Sequence, residues 1–270
     1  MTVLWPITLI TFKEGIRNRA VYGISLLALL LFGANFLVAG MMPRNVGKVA
    51  VDFALSTISL SGILLVLFIG INLLAKDIDR RTIYMVLARP ISRSQYIIGK
   101  FFGMCLLIIV TIGLLSILAA LSIGSLKALY PNYFERFSWS MILLAVLFEM
   151  LMLIVLSALS FLFASFTSTS FITLVLTVIT YIIGQSLADV KALVESPQAV
   201  GITVSPLTVK TVQTAYYVFP NLSLFDIKLQ AAHGLALPFS LVLWTLSYGV
   251  IYGTLAIVLA SLIFRKKEFP

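Results

Sequence analysis

The sequence predicts an all-α integral membrane protein with six transmembrane helices in a single membrane domain, residues 1–270. Two observations indicate this fold class. Hydrophobic residues make up 61% of the 270 residues and charged residues only 11%, whereas a soluble domain carries about 25% charged residues. The apolar residues also form long uninterrupted runs, which is typical of helices that cross a bilayer. We therefore expect the lipid bilayer to contact much of the surface.

Six stretches are long enough to span a membrane. A helix needs roughly 17–25 apolar residues to do so, and these stretches contain one charged side chain between them, Glu149. Transmembrane β-strands would be about ten residues long and would alternate in polarity, so they are excluded. The predicted spans are residues 21–42, 53–75, 101–126, 141–163, 171–187 and 239–264.

The distribution of basic residues predicts that both termini are cytoplasmic. With the N-terminus inside, the cytoplasmic segments are 1–20, 76–100, 164–170 and 265–270, which hold 12 of the 19 Lys and Arg residues. The longer outer segments hold the other seven, and this asymmetry follows the positive-inside rule. The same bias accounts for the net charge of +9, so no nucleic-acid partner is expected.

The N-terminal segment predicts an amphipathic helix at the membrane interface. Trp5, Leu9, Phe12 and Ile16 lie at spacings of four, three and four residues, which places them on one helical stripe. Such a helix lies in the membrane surface with its apolar stripe among acyl chains. Two roles remain open, a simple anchor or a contact with a cytoplasmic partner.

The cytoplasmic connection 76–100 predicts a helix–turn–helix that projects from the membrane. A helix over 77–87 is followed by Pro90, which disfavours a helical conformation at Arg89. Ser92 and Gln95 then form a capping-box pattern that begins the third span. An ordinary basic loop is the alternative, but apolar residues such as Ile83 and Leu87 are not needed to set topology.

The outer segment 188–238 is the longest connection, and a loop of this length is usually functional or disordered. Its apolar content favours short helices on or dipping into the outer leaflet, where aromatic residues concentrate. We expect it to control exit or partner docking. The candidate outer-gate or docking residues are Tyr216, Tyr217, Phe219, Pro220, Asn221 and Phe225.

The sequence contains no catalytic motif. Gly99-Lys100 lacks the earlier glycine and the following hydroxyl of a phosphate-binding loop, and His233 and Cys105 are the single residues of their types. No catalytic residue, metal site or bound cofactor is therefore expected in this chain. A charged group within a span is costly, so Glu149 is either a structural hydrogen-bonding group or a point on a translocation path, for which Asn35 and Asn72 are weaker candidates.

The run KDIDRRTIYMVLARPISRSQYIIGKFFG, residues 76–103, resembles the signature of type-2 ABC transporter permeases. TFKEGIRNRAVYG is similar to the first helix of that family, GINLLAKDIDRRT to the end of its second span, and PNLSLFDIK and IFRKKEF to its last third. The resemblance covers essentially the whole chain. The branch of the family that it resembles most includes copper-processing and gliding-associated permeases.

The resemblance implies a membrane subunit that works as a dimer, expected to be a homodimer, above two separate ATPase subunits that bind ATP and Mg. The connection between spans two and three would be a cytoplasmic coupling helix that inserts into the ATPase. The ATPase-coupling residues carried onto this sequence are Asp77, Asp79, Arg80, Arg81, Thr82, Ile83, Leu87, Arg89 and Pro90. The expected location is the cytoplasmic (inner) membrane of a bacterium or archaeon.

The leading hypothesis is thus the permease subunit of an ATP-driven ABC exporter. The alternative is a mechanotransmitting subunit, which passes ATP-driven motion to a periplasmic partner without moving a substrate. A membrane-embedded enzyme or secondary transporter is disfavoured by the single intramembrane carboxylate and the absence of the Gly/Pro-interrupted paired helices of inverted repeats.

Overall fold

The computed structural model describes residues 4–42, 45–73, 92–134, 137–195 and 205–267. Within these ranges the longer elements are nine α-helices, numbered here in chain order: α1 Leu4–Ile16, α2 Arg19–Gly40, α3 Val46–Leu73, α4 Arg93–Leu129, α5 Trp139–Phe166, α6 Ser170–Glu195, α7 Pro206–Val218, α8 Lys228–His233 and α9 Phe239–Lys266. Six of them, α2 to α6 and α9, are long and apolar enough to cross a membrane. This confirms the predicted fold class.

The helices extend beyond the apolar runs from which the spans were predicted. α3 begins at Val46 rather than residue 53, and α6 reaches Glu195 rather than residue 187. α4 has 37 residues, or about 55 Å at 1.5 Å per residue, and so exceeds the roughly 30 Å of a hydrocarbon core. The predicted spans therefore ended at charged side chains, whereas the helices continue past them.

Local signals explain where two of the spans begin. The side chain of Asn18 accepts a hydrogen bond from the N–H of Ala20 at 3.0 Å and caps α2. At α4 the predicted capping box is confirmed, since the N–H of Gln95 donates to Ser92 Oγ at 3.2 Å and the N–H of Ser92 donates to Gln95 Oε1 at 3.1 Å. The predicted helix over 77–87 and its proline stop lie outside the described residues.

The first described helix and the end of the last one lie at the same end of the bundle. α1 packs against the first turns of α4, and the end of α9 bonds to Arg93 at the start of α4. We call this the terminal end and the opposite one the distal end; which side of the membrane each faces stays a prediction. Short helices occupy the N-terminal and 188–238 segments, but their location at the membrane surface is likewise a prediction.

α3 and α5 form the centre of the bundle, while α2, α6 and α9 lie at its periphery. The peripheral helices expose large apolar side chains, for example Leu37 at 72%, Phe171 at 73% and Trp244 at 77%. A soluble protein would not leave so much apolar surface in water. This outer surface therefore fits contact with lipid.

Candidate functional site

The described residues on either side of the predicted coupling segment are fixed at the terminal end. On the α3 side, the ammonium of Lys100 donates a hydrogen bond to the carbonyl of Leu73, the last described residue of α3. Lys100 is only 6% exposed, and its Nζ lies 3.7 Å from the carboxylate of Glu14 on α1 and 5.4 Å from the centre of the Tyr96 ring. One buried cation thus connects α1, α3 and α4.

On the α4 side, the C-terminal end of α9 makes the corresponding connection. The guanidinium of Arg93 donates to the carbonyls of Lys267 at 2.6 Å and Arg265 at 3.3 Å. The ammonium of Lys267 in turn donates to the carbonyl of Thr167, between α5 and α6, at 2.7 Å. Burial lowers the pKa of Lys267. Four helices, α4, α5, α6 and α9, therefore meet where the predicted coupling segment ends.

Small residues let α1 lie close against α4. A Cβ added to Gly99 would lie 2.8 Å from Ile7, and one added to Gly103 would lie 2.5 Å from Thr11. The hydroxyl of Thr8 is 3.2 Å from the carbonyl of Gly99. Close approach through small residues is the usual way in which helices associate without a hydrophobic driving force in lipid.

The predicted apolar stripe of α1 is not the face that packs against α4. The buried residues of α1 are Thr8, Thr11 and Gly15, whereas Trp5 is 63% and Ile16 37% exposed. Leu9 and Phe12, the middle of the stripe, are half-buried. An exposed apolar stripe agrees with an interfacial helix, although no contact with lipid is part of the structure.

The nine predicted ATPase-coupling residues, Asp77 to Pro90, lie outside the described residues. Their roles stay predictions. What the structure adds is the set of contacts around them, in particular those of Lys100 and Arg93, which sequence reasoning did not select. A lysine or arginine at the end of a span is already expected from the positive-inside rule. The sequence therefore offered no sign that Lys100 and Arg93 have specific partners or that Lys100 is buried.

The three candidate points on a translocation path do not form one site, because they lie at different levels along α3. The amide of Asn35 donates to the carbonyl of Ala50 at 3.1 Å and to Ser122 Oγ at 3.1 Å. Glu149 lies next to Ser59, and Asn72 is itself on α3, bonded to the carbonyl of Phe68 one turn earlier. At 1.5 Å per residue, the level of Asn35 is about 13 Å from that of Glu149, and the level of Glu149 is about 20 Å from that of Asn72.

Glu149 lies in the middle of the bundle and faces protein. It is 6% exposed, with the hydroxyl of Ser59 in hydrogen-bonding range of its carboxyl. Lys228 and Asp226 are close enough to interact electrostatically with Glu149, and Glu149 is close enough to interact in the same way with Tyr181. Its Oε1 atom has no hydrogen-bond partner within the described part of the chain. The predicted burial of Glu149 away from lipid therefore agrees with the structure, while its role stays open.

The residues that approach Glu149 belong to a segment that descends into the bundle from the distal end. We call residues 219–228 the re-entrant segment. Pro220, Asn221, Leu222, Phe225 and Ile227 are buried. Among the predicted outer-gate residues, Pro220, Asn221 and Phe225 thus lie in the bundle.

Two of the other predicted outer-gate residues, Tyr216 and Phe219, are less buried than these three. Phe219 is half-buried, and the ring of Tyr216 lies 3.8 Å from the ammonium of Lys191. The side chain of Tyr217 is outside the described part of the structure. The structure thus buries Pro220, Asn221 and Phe225 in the bundle and places Tyr216 beside Lys191 of α6, while the role of these residues in gating or docking stays a prediction.

Two glycines make room for the re-entrant segment. A Cβ on Gly184 of α6 would lie 2.7 Å from the carbonyl oxygen of Pro220, and a Cβ on Gly249 of α9 would lie 3.0 Å from Phe225. Gly184 and Gly249 are 11 and 10 residues from the distal ends of their helices, or about 15 Å. The segment therefore reaches well below the distal surface.

A tyrosine on α9 holds the beginning of this segment. The N–H of Asn221 donates to the hydroxyl of Tyr248 at 2.9 Å, and the rings of Tyr248 and Phe225 are 6.2 Å apart. Asp226 and Lys228 form an ion pair at 3.2 Å. Sequence reasoning missed Tyr248, Gly184 and Gly249; the only available signal was a polar or small residue within an apolar run.

Comparison with known families identifies the chain. Residues 5–268 match the family model described as ABC-2 family transporter protein. The chain belongs to this family. This confirms the resemblance to type-2 ABC permeases, and it makes the protein the membrane component of an ABC transporter and a multi-pass membrane protein. No curated protein matches the chain with significance.

Proposed function

We propose that this ABC-2 family protein is the permease subunit of an ATP-driven exporter. In this proposal two copies form the translocation path, and the chain couples to two separate ATPase subunits that bind ATP and Mg. The terminal end faces the cytoplasm and the distal end faces outward. The observation that carries the proposal is that both described ends of the predicted coupling connection are tied to the terminal end of the bundle.

Those ties support a mechanical role for the connection. A force on residues 74–91 acts on Leu73 and Ser92, the described residues at its ends. On one side, Lys100 connects Leu73 to α1 and α4. On the other side, Arg93 connects α4 to the end of α9, and Lys267 connects that end to the turn between α5 and α6. Movement of the connection would therefore reach most of the bundle instead of being absorbed by a loose loop.

The re-entrant segment supplies a candidate for the moving part at the distal end. It lies between α5, α6 and α9 and approaches Glu149 through Asp226 and Lys228. A displacement of α9 at the terminal end would reach it through Tyr248, whose hydroxyl accepts from the Asn221 N–H. We propose that it opens and closes the exit.

The coupling assignment is tested by co-expressing the chain with its candidate ATPase and purifying the complex through the permease. Ile83→Asp should release the ATPase, because burying an apolar side chain of this size in a cleft contributes about 1.5–3 kcal/mol. Ile83→Leu, which keeps the apolar contact, is the matched control and should retain it.

A second pair of variants separates coupling from assembly. Arg80→Glu with Arg81→Glu should lower the ATP hydrolysis of the complex in lipid more than it lowers assembly, since exposed ion pairs contribute roughly 0–1 kcal/mol and mainly fix orientation. Arg265→Glu with Lys266→Glu also reverses two charges, at exposed positions of the terminal end, and should leave both measurements unchanged. Wild-type assembly and hydrolysis in both test variants would contradict the proposed coupling. None of the described contacts favours the mechanotransmitting alternative, so it is not proposed.

A further inference from the structure

A cavity lies at the distal end, separate from the re-entrant segment and from Glu149. Its volume is about 550 Å³, which is in the range of about 300–1,000 Å³ that is usual for small-molecule sites. Three parts of the chain form its walls: the first turns of α3 with Asn45 before them, residues 132–134 and 137 between α4 and α5, and the region where α8 ends. The function proposed above assigns no role to this cavity.

The position of the walls is set by close packing. A Cβ on Gly47 of α3 would lie 2.4 Å from the carbonyl oxygen of Tyr133 and 3.2 Å from the ring of Phe134. Phe134 is buried, and its ring is 5.6 Å from that of Phe137 in an edge-on arrangement. Phe137 in turn meets the ring of Trp139 at 4.8 Å. One side of the cavity is therefore a continuous aromatic wall against the start of α3.

The polar groups of the cavity favour an anion. Lys48 is on its lining and forms no ion pair within the described ranges. The ammonium of Lys127 is not part of the lining, but it lies 4.4 Å from the centre of the Phe137 ring and adds positive charge near the cavity. The described lining includes the amides of Asn45 and Asn132 but no carboxylate.

The apolar groups indicate that the anion belongs to a larger molecule. A bare inorganic anion would occupy a small part of the cavity and would make no use of Phe134, Phe137 and Val51. A metal cation lacks carboxylate ligands in the described lining. A lining that combines one cation and two amides with aromatic side chains suits an amphiphile.

We propose that this cavity binds an amphiphilic molecule through a phosphate headgroup, with Lys48 as the principal charged contact and the Phe134–Phe137 wall against its apolar part. Charge-assisted hydrogen bonds to phosphate are among the stronger polar contacts. The molecule reaches the cavity either from the bilayer, as an anionic phospholipid, or from the aqueous phase.

The test is direct binding of radiolabelled hexyl phosphate to the full chain in nanodiscs of zwitterionic lipid, with empty discs subtracted. We expect saturable binding at one site per chain. Unlabelled inorganic phosphate and hexyl glucoside should each need at least about tenfold higher concentration than hexyl phosphate to compete, because each lacks one half of the recognised molecule.

Variants assign the site. Lys48→Ala should weaken binding about tenfold or more, because losing a hydrogen bond to a charged group lowers affinity by about that factor. Lys48→Arg, which keeps the positive charge, should retain binding. Lys210→Ala on α7 removes an exposed lysine from the same end and should have no effect. Unchanged melting temperatures would show that all three variants are folded.

Adding phosphatidylglycerol to the discs distinguishes the two sources of the bound molecule, the bilayer and the aqueous phase. Competition with hexyl phosphate assigns the site to membrane lipid and its absence assigns it to a water-borne amphiphile; both outcomes support the proposed cavity. The proposal is overturned if hexyl phosphate shows no saturable binding, if inorganic phosphate or hexyl glucoside competes equally well, or if Lys48→Ala binds like the wild type. None of these results depends on ATPase coupling.

Discussion

The re-entrant segment can be displaced by a single methyl group at Gly184. In Gly184→Ala the new Cβ would lie 2.7 Å from the carbonyl oxygen of Pro220 and 2.8 Å from Cγ of Leu222. Non-bonded carbon atoms are most favourable at about 3.5–4.0 Å, so the segment must move by about 1 Å. Overpacking of this kind costs typically about 1–3 kcal/mol.

Hydrogen–deuterium exchange of peptides that cover residues 219–228 measures this displacement. Local opening free energy controls the exchange of protected amides, and a loss of about 1–3 kcal/mol should accelerate their exchange roughly 5- to 150-fold. The N–H of Asn221 is expected to report the change first, because its acceptor is the Tyr248 hydroxyl on another helix. Peptides from α4 should exchange as in the wild type.

Gly113→Ala is the matched control. Gly113 is also in the interior of a spanning helix, but a Cβ there meets nothing within 4 Å. Both substitutions gain helix propensity, about 0.8–1 kcal/mol for Ala over Gly in water, so the control isolates the steric effect. Equal exchange of residues 219–228 in the two variants would refute the inference that Gly184 positions the segment.

Variants at three further sites, with one control, test individual contacts by thermal or denaturant unfolding in lipid. Tyr248→Phe removes the acceptor of the Asn221 N–H and should destabilise the native state by about 1–3 kcal/mol, whereas Tyr252→Phe loses a bond of 3.4 Å and should cost less; equal costs would contradict the assignment. Lys100→Met should cost about 1–3 kcal/mol because a carbonyl loses its donor, and an unchanged free energy of unfolding would refute that role. Glu149→Gln should keep wild-type stability while Glu149→Leu loses it, and a harmless Leu would show that this side chain does not face a polar environment.

The six spans could be predicted because each crosses the hydrocarbon core as an apolar run, but their ends could not. Lys48 and Asp52 interrupt the run that precedes the second span, and Asp189 and Lys191 end the fifth. In the structure all four lie within helices, α3 and α6. A charge excludes a residue from the hydrocarbon but does not break a helix, so hydropathy underestimates helix length.

The candidate site was predictable where it depends on local signals and not where it depends on packing. The capping box of Ser92 and Gln95 needs only residues three apart, and the structure confirms it. The burial of Lys100 depends on α1, α3 and α4 meeting, which no local pattern specifies. Gly184 likewise looks like any glycine in an apolar run until the chain returns 36 residues later with Pro220.

The polar residues of the re-entrant segment are best explained by the needs of its own backbone. Leu222–Phe225 form a short 3₁₀-helix, and no α-helix begins in the segment before Lys228, so its buried backbone must find other hydrogen-bond partners within the protein. The N–H of Lys228 donates to Asp226 Oδ1 at 3.2 Å and that of Asp226 to the carbonyl of Ser223 at 3.1 Å. The hydroxyl of Ser223 donates to Asn221 Oδ1 at 2.7 Å.

These bonds decide how the proposed exit can move. Each one broken in a medium without water would leave a polar group unpaired, at a cost of about 1–3 kcal/mol, so unravelling the segment would cost several times that. By contrast, a rigid movement of the segment together with α9 keeps its internal bonds and its bond to Tyr248. It changes the packing of both against the neighbouring helices, including the contacts with Gly184 and the approach of Lys228 to Glu149. An exit that opens repeatedly is therefore expected to move as one body with α9, whose other end is bonded to Arg93 beside the predicted coupling segment.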